Sequence, residues 1–485
     1  MVSLLTNTEE YFADLCDEIR LFFDVRKIPV VQEIDKQGFC VVHEFTKQTE
    51  FCHHAALYLD GVRVKEYAYH SPLVSDANEL AYKRAAKHGA KIAVYRCLSA
   101  YFGIQKAWGS LTGVRPTKML RDLCMSYGAE QAEQMFLKDY DVSEGKLQLA
   151  KQICDIQIPI LQTVEPQKDL DMYLGIPFCT SRCAYCSFYA ATTTKDGNKE
   201  QAYVDALLRE LALLQPVIEA HRVRSIYIGG GTPTALNAEQ LYRVLKAVSA
   251  YAAGAEFTVE AGRPDTITQE KLAAIQEAGA QRISINPQTT CARTLPIIGR
   301  KHSVESFFEA AELAKKFNFE AINMDLIAGL PGEGEKELMQ SVRDCVRLQP
   351  ENITVHSLAI KKGSKFGMEN VGQFAGAEEA ERMVEQARMY LAEQGYQPYY
   401  MYRQKYMAGN MENIGYARPG KACIYNVDIM EEAVSILALG AGSASKRVLP
   451  AQGKIERFIG LKDIPSYLAR VEEMAAKKAV LFAQG

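Results

Sequence analysis

The feature that most constrains the fold is an alternation of short apolar segments with longer amphipathic ones between residues 170 and 365. The short segments are rich in β-branched and aromatic residues, and they read DMYLGIP, RSIYIGG, EFTVEAG, RISINPQ, AINMDLIAG and NITVHSL. The longer segments have helical periodicity, as in the apolar repeat of Val204, Leu207, Leu208 and Leu211. Strand–helix units in an unbroken series predict a parallel sheet with right-handed crossovers.

Six such units are too few to close the usual eight-stranded barrel. The sequence therefore predicts an α/β protein built on a partial (β/α)6 TIM-like barrel, with its site at the C-terminal ends of the strands. Polar side chains stand at several of these ends, namely Glu260, Gln288, Asp325 and His356.

The pattern changes on either side of this region, which predicts three parts. Residues 1–165 are expected to form an N-terminal α/β module, in which GFCVVHEFTKQTEFCHHAALYLDG is a hairpin followed by a long helix. Residues 166–365 form the partial barrel, and residues 366–485 form a C-terminal α+β extension. In that extension YQPYYMYRQKYM is expected to be a strand, and helices are expected around Gly440 and Gly442. Within the first part, Cys52, His53 and His54 are not expected to form a metal site, because adjacent residues of a strand point to opposite faces.

Composition excludes several classes of partner. The net charge of −3 gives no electrostatic reason to bind nucleic acid or an anionic membrane. No apolar stretch of about 18 residues occurs, so no membrane span is expected. The first residues carry acids where a signal peptide needs basic residues followed by an apolar run. We therefore expect a cytoplasmic protein.

Three cysteines of CTSRCAYC, which are Cys179, Cys183 and Cys186, form the one cluster among twelve cysteines. A disulfide would leave one thiol over and suits a reducing compartment poorly. A structural zinc site has four ligands, so a distant His or Cys would have to supply the fourth ligand here. A 4Fe–4S cluster normally takes four cysteines. Held by three, it would keep one iron open, as catalytic metals keep an open position.

This spacing after the segment YLGIP resembles that of the radical S-adenosylmethionine (radical SAM) superfamily. The resemblance implies a three-cysteine 4Fe–4S cluster whose open iron binds the amine and carboxylate of S-adenosylmethionine. One electron then releases a 5′-deoxyadenosyl radical. GGGTPT at residues 229–234 matches the cofactor-binding loop, where glycines allow close approach and free N–H groups can meet a carboxylate. Glu260 stands where the family uses an acid on the cofactor's amine or ribose, and Tyr185 stands where the adenine is contacted.

Within that superfamily the chain resembles the oxygen-independent coproporphyrinogen III oxidase group. The segments are YLGIPFCTSRCAYCSF, GGGTPTAL, VEAGRPDTI, RISINPQT, GRKHS, NMDLIAGLPGE and ENITVHSLAI. The N-terminal extension and LTGVRP resemble a variant coproporphyrinogen dehydrogenase subgroup of Gram-positive bacteria. The resemblance implies a haem-biosynthetic oxidoreductase that decarboxylates two propionates of coproporphyrinogen III to give protoporphyrinogen IX, and a flavodoxin or ferredoxin-type electron donor.

The same resemblance assigns further cofactor residues. Tyr173 and Gly230 would contact the first S-adenosylmethionine. The positions that match those holding a second S-adenosylmethionine are Gly231, Thr232, Gln288, Arg300, Asp325 and Ala359. An arginine suits a carboxylate and an aspartate suits an amine.

Two positions depart from the decarboxylase pattern. Phe188 occupies the place of a fourth cysteine, and Gly175 occupies the place of a histidine ahead of the cysteines. Phe188 resembles the related haem-chaperone branch, so the sequence leaves three functions open: the decarboxylase, a haem-binding chaperone that keeps the cluster, and a radical enzyme with another substrate. For a tetracarboxylate substrate, the candidate cations near the barrel mouth are Lys361, Lys362, Lys365, Arg403 and Lys405.

Overall fold

The computed structural model describes residues 1–25, 27–74, 79–113, 115–194, 197–361, 363–369, 374–404 and 411–483. The chain divides into two compact units, Met1–Lys151 and Gln152–Gly485. The three-part division expected above remains a prediction.

The first unit is built on a four-stranded sheet in the order β1-β2-β3-β4. Its strands are β1 (Val2–Thr6), β2 (Phe39–Lys47), β3 (Glu50–Leu59) and β4 (Val62–Pro72). β1 is parallel to β2 and the other pairs are antiparallel, which confirms the predicted hairpin. The helices that begin in this unit are α1 (Phe12–Ile19), α2 (Glu79–Phe102), α3 (Pro116–Tyr127), α4 (Ala129–Gln134) and α5 (Glu144–Leu161).

His53 and His54, two adjacent residues of β3, point to opposite faces of the sheet. His53 is fully buried, and its Nδ1 lies 3.2 Å from Nε2 of His43. His54 instead pairs with Glu66 at 3.2 Å. Because neighbouring side chains point to opposite faces of the sheet, these residues do not share one site.

The second unit contains an eleven-stranded sheet in the order β13-β14-β12-β11-β10-β9-β8-β5-β15-β16-β17. The strands that carry the predicted apolar segments are β5 (Asp169–Ile176), β8 (Arg222–Gly230), β9 (Glu256–Gly262), β10 (Arg282–Ile285), β11 (Ala321–Ala328) and β12 (Asn352–Ser357). Each pairs in parallel with its neighbour in this series, so the predicted parallel α/β sheet is confirmed. Between β5 and β8 lies a small parallel pair, β6 (Phe178–Cys179) and β7 (Ala191–Thr192).

Helices alternate with these strands. They are α6 (Asn198–Leu213), α7 (Gln215–Glu219), α8 (Ala238–Ser249), α9 (Gln269–Glu277), α10 (Thr294–Ile297), α11 (Val304–Ala314), α12 (Glu335–Arg347), α13 (Lys365–Glu369) and α14 (Ala377–Glu393). Of the predicted apolar stripe of α6, Val204, Leu207 and Leu211 are buried. The stripe packs in the core as its spacing predicts.

The C-terminal region adds five strands to the same sheet. They are β13 (Gln397–Arg403), β14 (Glu412–Ala417), β15 (Ser435–Leu439), β16 (Ala444–Leu449) and β17 (Lys454–Ile459). β15 lies parallel beside β5, and the others are antiparallel at the two sides of the sheet. The prediction of a strand in YQPYYMYRQKYM, residues 396–407, is confirmed for 397–403 by β13, and residues 405–407 lie outside the described residues.

The prediction of helices around Gly440 and Gly442 is wrong. Both glycines lie in the turn from β15 to β16, with φ of +92° and +74°. Ser435–Leu439 is entirely buried, and a short apolar run buried on both faces cannot be told from a buried helix by periodicity. The remaining helices are α15 (Ile424–Glu431), α16 (Ile464–Ala469) and α17 (Val471–Ala483). Among the described residues, no helix is both long and apolar enough to cross a membrane.

Candidate functional site

The parallel strands bring their C-terminal ends to one edge of the sheet, and the cysteine segment follows the first of them. It is held on two sides by backbone hydrogen bonds. The Ala184 N–H donates to the Ile298 carbonyl at 2.9 Å, and the Phe366 N–H donates to the Ala184 carbonyl at 3.0 Å. Pairing of β6 with β7 closes the segment into a loop. We call residues 178–192 the cysteine loop.

The three cysteines lie in this loop, and each is partly buried. Thr232 Oγ1 lies 3.4 Å from Cys179 Sγ, and Arg263 Nη1 lies 3.8 Å from Cys183 Sγ. Burial raises the pKa of the Cys179 and Cys186 thiols, and the charge of Cys183 raises both further. Across the described ranges, no three His, Cys, Asp or Glu side chains form a group that could hold a metal ion in this structure.

The glycine-rich turn packs directly on the cysteine loop. A Cβ on Gly231 would lie 2.5 Å from the Phe178 carbonyl oxygen, so this position has no room for a side chain. Gly230 has φ of +110°, a conformation that favours glycine. The N–H groups of Gly231 and Thr232 donate to the Ile176 and Phe178 carbonyls at 2.8 and 2.7 Å. These two N–H groups are therefore not free to meet a carboxylate, contrary to the expectation for this turn.

Glu260, the predicted cofactor acid, lies in β9 beside this turn. Its Oε1 accepts a hydrogen bond from the Tyr227 hydroxyl at 2.6 Å. Burial raises the pKa of Glu260 to about 7, although the hydrogen bond from Tyr227 lowers it. A carboxyl group with such a pKa exchanges its proton near neutral pH.

The predicted Arg300 and Tyr185 meet in the structure. Arg300 is buried, and its Nη2 donates to the Tyr185 hydroxyl at 3.0 Å. Its Nη1 donates to the Asn286 carbonyl at 3.3 Å, while its buried Nε has no partner. An unsatisfied donor on a buried guanidinium is costly unless a ligand supplies an acceptor.

Asp325 and Gln288 also lie together. The Gln288 N–H donates to the Asp325 carbonyl at 2.9 Å, and Gln288 has the unusual φ of +67° for a residue other than glycine. One carboxylate oxygen of Asp325 accepts from Asn323 Nδ2 at 2.8 Å, and the other lies 3.7 Å from His356 Nε2. Burial raises the pKa of Asp325, but the hydrogen bond and charge of His356, together with hydrogen bonds from Asn323 and Thr354, hold the pKa below its ordinary value.

The other predicted contacts lie on neighbouring elements. Tyr173 is in β5, where its ring stacks with that of Tyr227 at a centroid distance of 6.4 Å. Ala359 lies two residues beyond the end of β12 and is half-buried. No hydrogen bond among the described residues joins Ala359 to the other predicted site residues.

The candidate propionate cations differ in their surroundings. Lys365 is exposed and Lys361 is half-buried, whereas Arg403 is only 2% exposed at the end of β13. Lys362 and Lys405 lie outside the described residues. A role for any of them in binding propionates remains a prediction.

Three residues that the sequence argument did not single out also belong to this edge. Arg263 is buried, and besides its contact with Cys183 it donates to the Ser181 carbonyl at 3.0 Å and to Asp265 at 3.1 Å. Tyr227 holds Glu260, and Tyr425 of α15 stacks on Tyr227 at 4.4 Å. Arg263 stands inside the family segment VEAGRPDTI, which was the available signal. Nothing in the local sequence indicated the two tyrosines.

Comparison with known proteins identifies the class. Residues 173–345 match the model of the radical SAM superfamily. A solved structure, "Coproporphyrinogen III oxidase (HemN) from Escherichia coli is a Radical SAM enzyme", aligns with a TM-score of 0.54 at 22% identity, covering 66% of this chain and 73% of that one. The predicted fold class is therefore confirmed, and the chain is a radical SAM protein.

Two relatives with similar sequences narrow the class to a family. The chain is 39% identical over 427 residues to the oxygen-independent coproporphyrinogen-III oxidase-like protein HemZ of Bacillus subtilis (strain 168), covering 86% of this chain and 85% of the relative. It is 30% identical to the heme chaperone HemW of Escherichia coli (strain K12), covering 59% of this chain and 72% of that one. The chain belongs to the radical SAM family of oxygen-independent coproporphyrinogen-III oxidase-like proteins.

Proposed function

We propose that this protein is a cytoplasmic oxidoreductase of haem biosynthesis that decarboxylates coproporphyrinogen III to protoporphyrinogen IX without oxygen. The observation that carries the proposal is the 39% identity, over 86% of the chain, to the coproporphyrinogen-III oxidase-like protein of Bacillus subtilis. A buried arginine, Arg300, and two acidic residues of the parallel strands β9 and β11, Glu260 and Asp325, support it, because these groups suit the carboxylate and amine of an amino-acid cofactor.

The residues of the cysteine loop fit an iron–sulfur cluster by their chemistry. Three thiols lie in one loop, and the donors Thr232 and Arg263 approach two of them. Cys179, Cys183 and Cys186 would be the ligands, and the fourth iron would be left for S-adenosylmethionine. When bound, the cluster and S-adenosylmethionine supply the one-electron cleavage that starts the reaction.

The chain's own polar residues would bind and orient the cofactor. Glu260 would take an ammonium or ribose hydroxyl beside the glycine-rich turn. Arg300 would take a carboxylate through the Nε that has no partner, and Asp325 would take an ammonium. Tyr173 and Tyr185 would line the first site. The residues that would serve a second S-adenosylmethionine, where two are bound, are Gly231, Thr232, Gln288, Arg300, Asp325 and Ala359.

The substrate would lie at the C-terminal ends of the strands, with the C-terminal extension on its side of the barrel. Each propionate that becomes a vinyl group would give one hydrogen atom to the 5′-deoxyadenosyl group of a cleaved S-adenosylmethionine and would lose carbon dioxide and one electron, the electron passing to a one-electron acceptor. A small electron carrier of the flavodoxin or ferredoxin type would reduce the cluster. Lysines such as Lys361 and Lys365, near the end of β12, suit pairing with propionates.

The test is an anaerobic assay of the reconstituted protein with S-adenosylmethionine, a reductant and coproporphyrinogen III. The proposal expects 5′-deoxyadenosine and protoporphyrin to form together. Both should be lost in Cys183→Ala, while Cys345→Ala, which changes a buried cysteine outside the loop, should retain them. Formation of 5′-deoxyadenosine without any vinyl product would refute the decarboxylase.

A haem chaperone is the second candidate, because Phe188 stands in the place of the decarboxylases' additional cysteine. Its side chain is 65% exposed beside the last cysteine of the loop. The similarity to the heme chaperone of Escherichia coli supports this candidate. It predicts stoichiometric haem binding without turnover of coproporphyrinogen III. A spectroscopic haem titration of the reconstituted protein would distinguish the two, since the decarboxylase does not require retained haem.

A further inference from the structure

The carboxyl group of Glu260 is held from one side only. Oε1 accepts the 2.6 Å hydrogen bond from Tyr227. Within the part of the chain that the structure describes, no hydrogen bond reaches Oε2. That oxygen faces the glycine-rich turn, because a Cβ placed on Gly229 would lie only 3.1 Å from it.

The hydroxyl of Tyr227 is fixed by the rings around it. β8 and β9 pair in parallel, with Tyr227 opposite Thr258, so Tyr227 and Glu260 lie near each other on neighbouring strands. The Tyr227 ring stacks on Tyr425 at 4.4 Å with an interplanar angle of 20°. The ring of Tyr173 stacks with both of these rings, and its centroid lies 6.4 Å from that of Tyr227 and 6.3 Å from that of Tyr425. A stacked ring loses rotational freedom, so its hydroxyl presents the hydrogen bond in one direction.

We infer that Tyr227 is a positioning residue: it binds Oε1 of Glu260 and thereby aims Oε2 at the glycine-rich turn, where Oε2 takes the ammonium or ribose hydroxyl of S-adenosylmethionine. This inference rests on the proposed function. Tyr227 itself does not contact the cofactor. It acts through the carboxylate, and Gly229 carries no side chain that would crowd Oε2.

Several charged or titratable groups surround the carboxyl group of Glu260. They are Tyr173, Tyr227, Asp325, His356, Tyr402 and Tyr425. Of these, Asp325 raises the pKa of Glu260 and His356 lowers it, while the hydrogen bond from Tyr227 also lowers it. Loss of the Tyr227 hydroxyl therefore raises the pKa of Glu260 above about 7, and less of the carboxylate form is present at neutral pH.

The test measures binding of S-adenosylmethionine by anaerobic equilibrium dialysis, from about pH 5.5 to about pH 8.5, on either side of the Glu260 pKa. Tyr227→Phe keeps the stacked ring and removes only the donor. We expect it to weaken binding about tenfold near pH 7 and to move the midpoint of the affinity–pH curve to higher pH. Tyr242→Phe is the matched control, because it removes a tyrosine–glutamate hydrogen bond outside the site, the 2.9 Å bond from Tyr242 to Glu277, and should change neither quantity.

A second variant guards against a structural effect. Glu260→Gln cannot ionise, so its affinity should no longer follow this pH curve, and adding Tyr227→Phe to it should have no further effect. An unaltered Kd and midpoint in Tyr227→Phe, with wild-type binding intact, would overturn the inference alone. An additive loss in the double variant would also overturn it. Failure of the wild-type protein to bind S-adenosylmethionine would overturn the proposed function as well.

Discussion

A buried ion pair joins α6 to α17 in the second unit, and we expect it to contribute strongly to the free energy of unfolding of that unit. Lys478 Nζ lies 2.6 Å from Glu210 Oε1, and the two side chains are 1% and 0% exposed. The other oxygen, Oε2, accepts from the Gly440 N–H at 2.8 Å and from the Tyr467 hydroxyl at 2.7 Å. One buried carboxylate of α6 thus joins α16, α17 and the turn after β15.

Lys478→Met removes the cation and keeps most of the side-chain volume. Removing one partner of a buried pair costs about 3–5 kcal/mol, because the remaining charge is left without compensation. Two donors still reach Oε2 of Glu210, so we expect the lower end, about 3 kcal/mol. The matched control is Lys477→Met, which breaks the pair with Glu473 on an exposed surface and should cost less than about 1 kcal/mol.

Hydrogen exchange measured by mass spectrometry is the suitable assay. The single tryptophan, Trp108, lies in the first unit, so its fluorescence does not report the second one. A loss of about 3 kcal/mol corresponds to roughly a hundredfold faster exchange in peptides of α17 and of the turn at Gly440. Exchange no faster in Lys478→Met than in Lys477→Met would refute the reasoning.

Three further variants test other parts of the structure. Burial raises the pKa of Glu18 to about 7. The protonated carboxyl group therefore contributes to the free energy of unfolding in full below about pH 4.5, and this contribution is lost as pH rises through 7. Glu18→Gln should therefore gain about 3 kcal/mol of unfolding free energy relative to wild type between pH 5 and pH 8, measured by Trp108 fluorescence in denaturant; no difference between the two pH values would contradict this. Gly231→Ala should lower the affinity for S-adenosylmethionine at least about tenfold in equilibrium dialysis, because the new Cβ would lie 2.5 Å from the Phe178 carbonyl oxygen. An unchanged affinity would show that the turn can move to accommodate the methyl group without affecting the site. Arg263→Gln should reduce the iron bound per chain after reconstitution, since it removes a donor beside the cysteine loop, and full iron content in the variant would exclude that role.

The sequence predicted the parallel sheet well because each of its strands is short, apolar and bounded by turn residues. Through the family motifs it assigned Tyr185 to the first S-adenosylmethionine and Arg300 to the second, and the structure shows a hydrogen bond between the two side chains. It failed at Gly440, where a buried strand and a buried helix have the same pattern.

Other features could not be predicted, because they depend on pairing between distant segments. The N–H groups of Gly231 and Thr232 bond to the carbonyls beside the cysteines, which follows from the short β6 strand and not from the glycines themselves. The Tyr227–Glu260 bond depends on the register of β8 against β9. Tyr425 reaches the stack from α15, far along the chain.

The position of β15 has a consequence for biosynthesis on the ribosome. Strands β5, β8, β9, β10, β11 and β12 emerge in one series, but β15 pairs with β5 only after most of the chain has been made. Until then β5 presents an unpaired strand edge beside the cysteine loop, and such edges are prone to associate with other chains. The late pairing of Ser435 with Leu170 closes that edge, so a truncated or stalled chain should be far more prone to aggregation than the finished one.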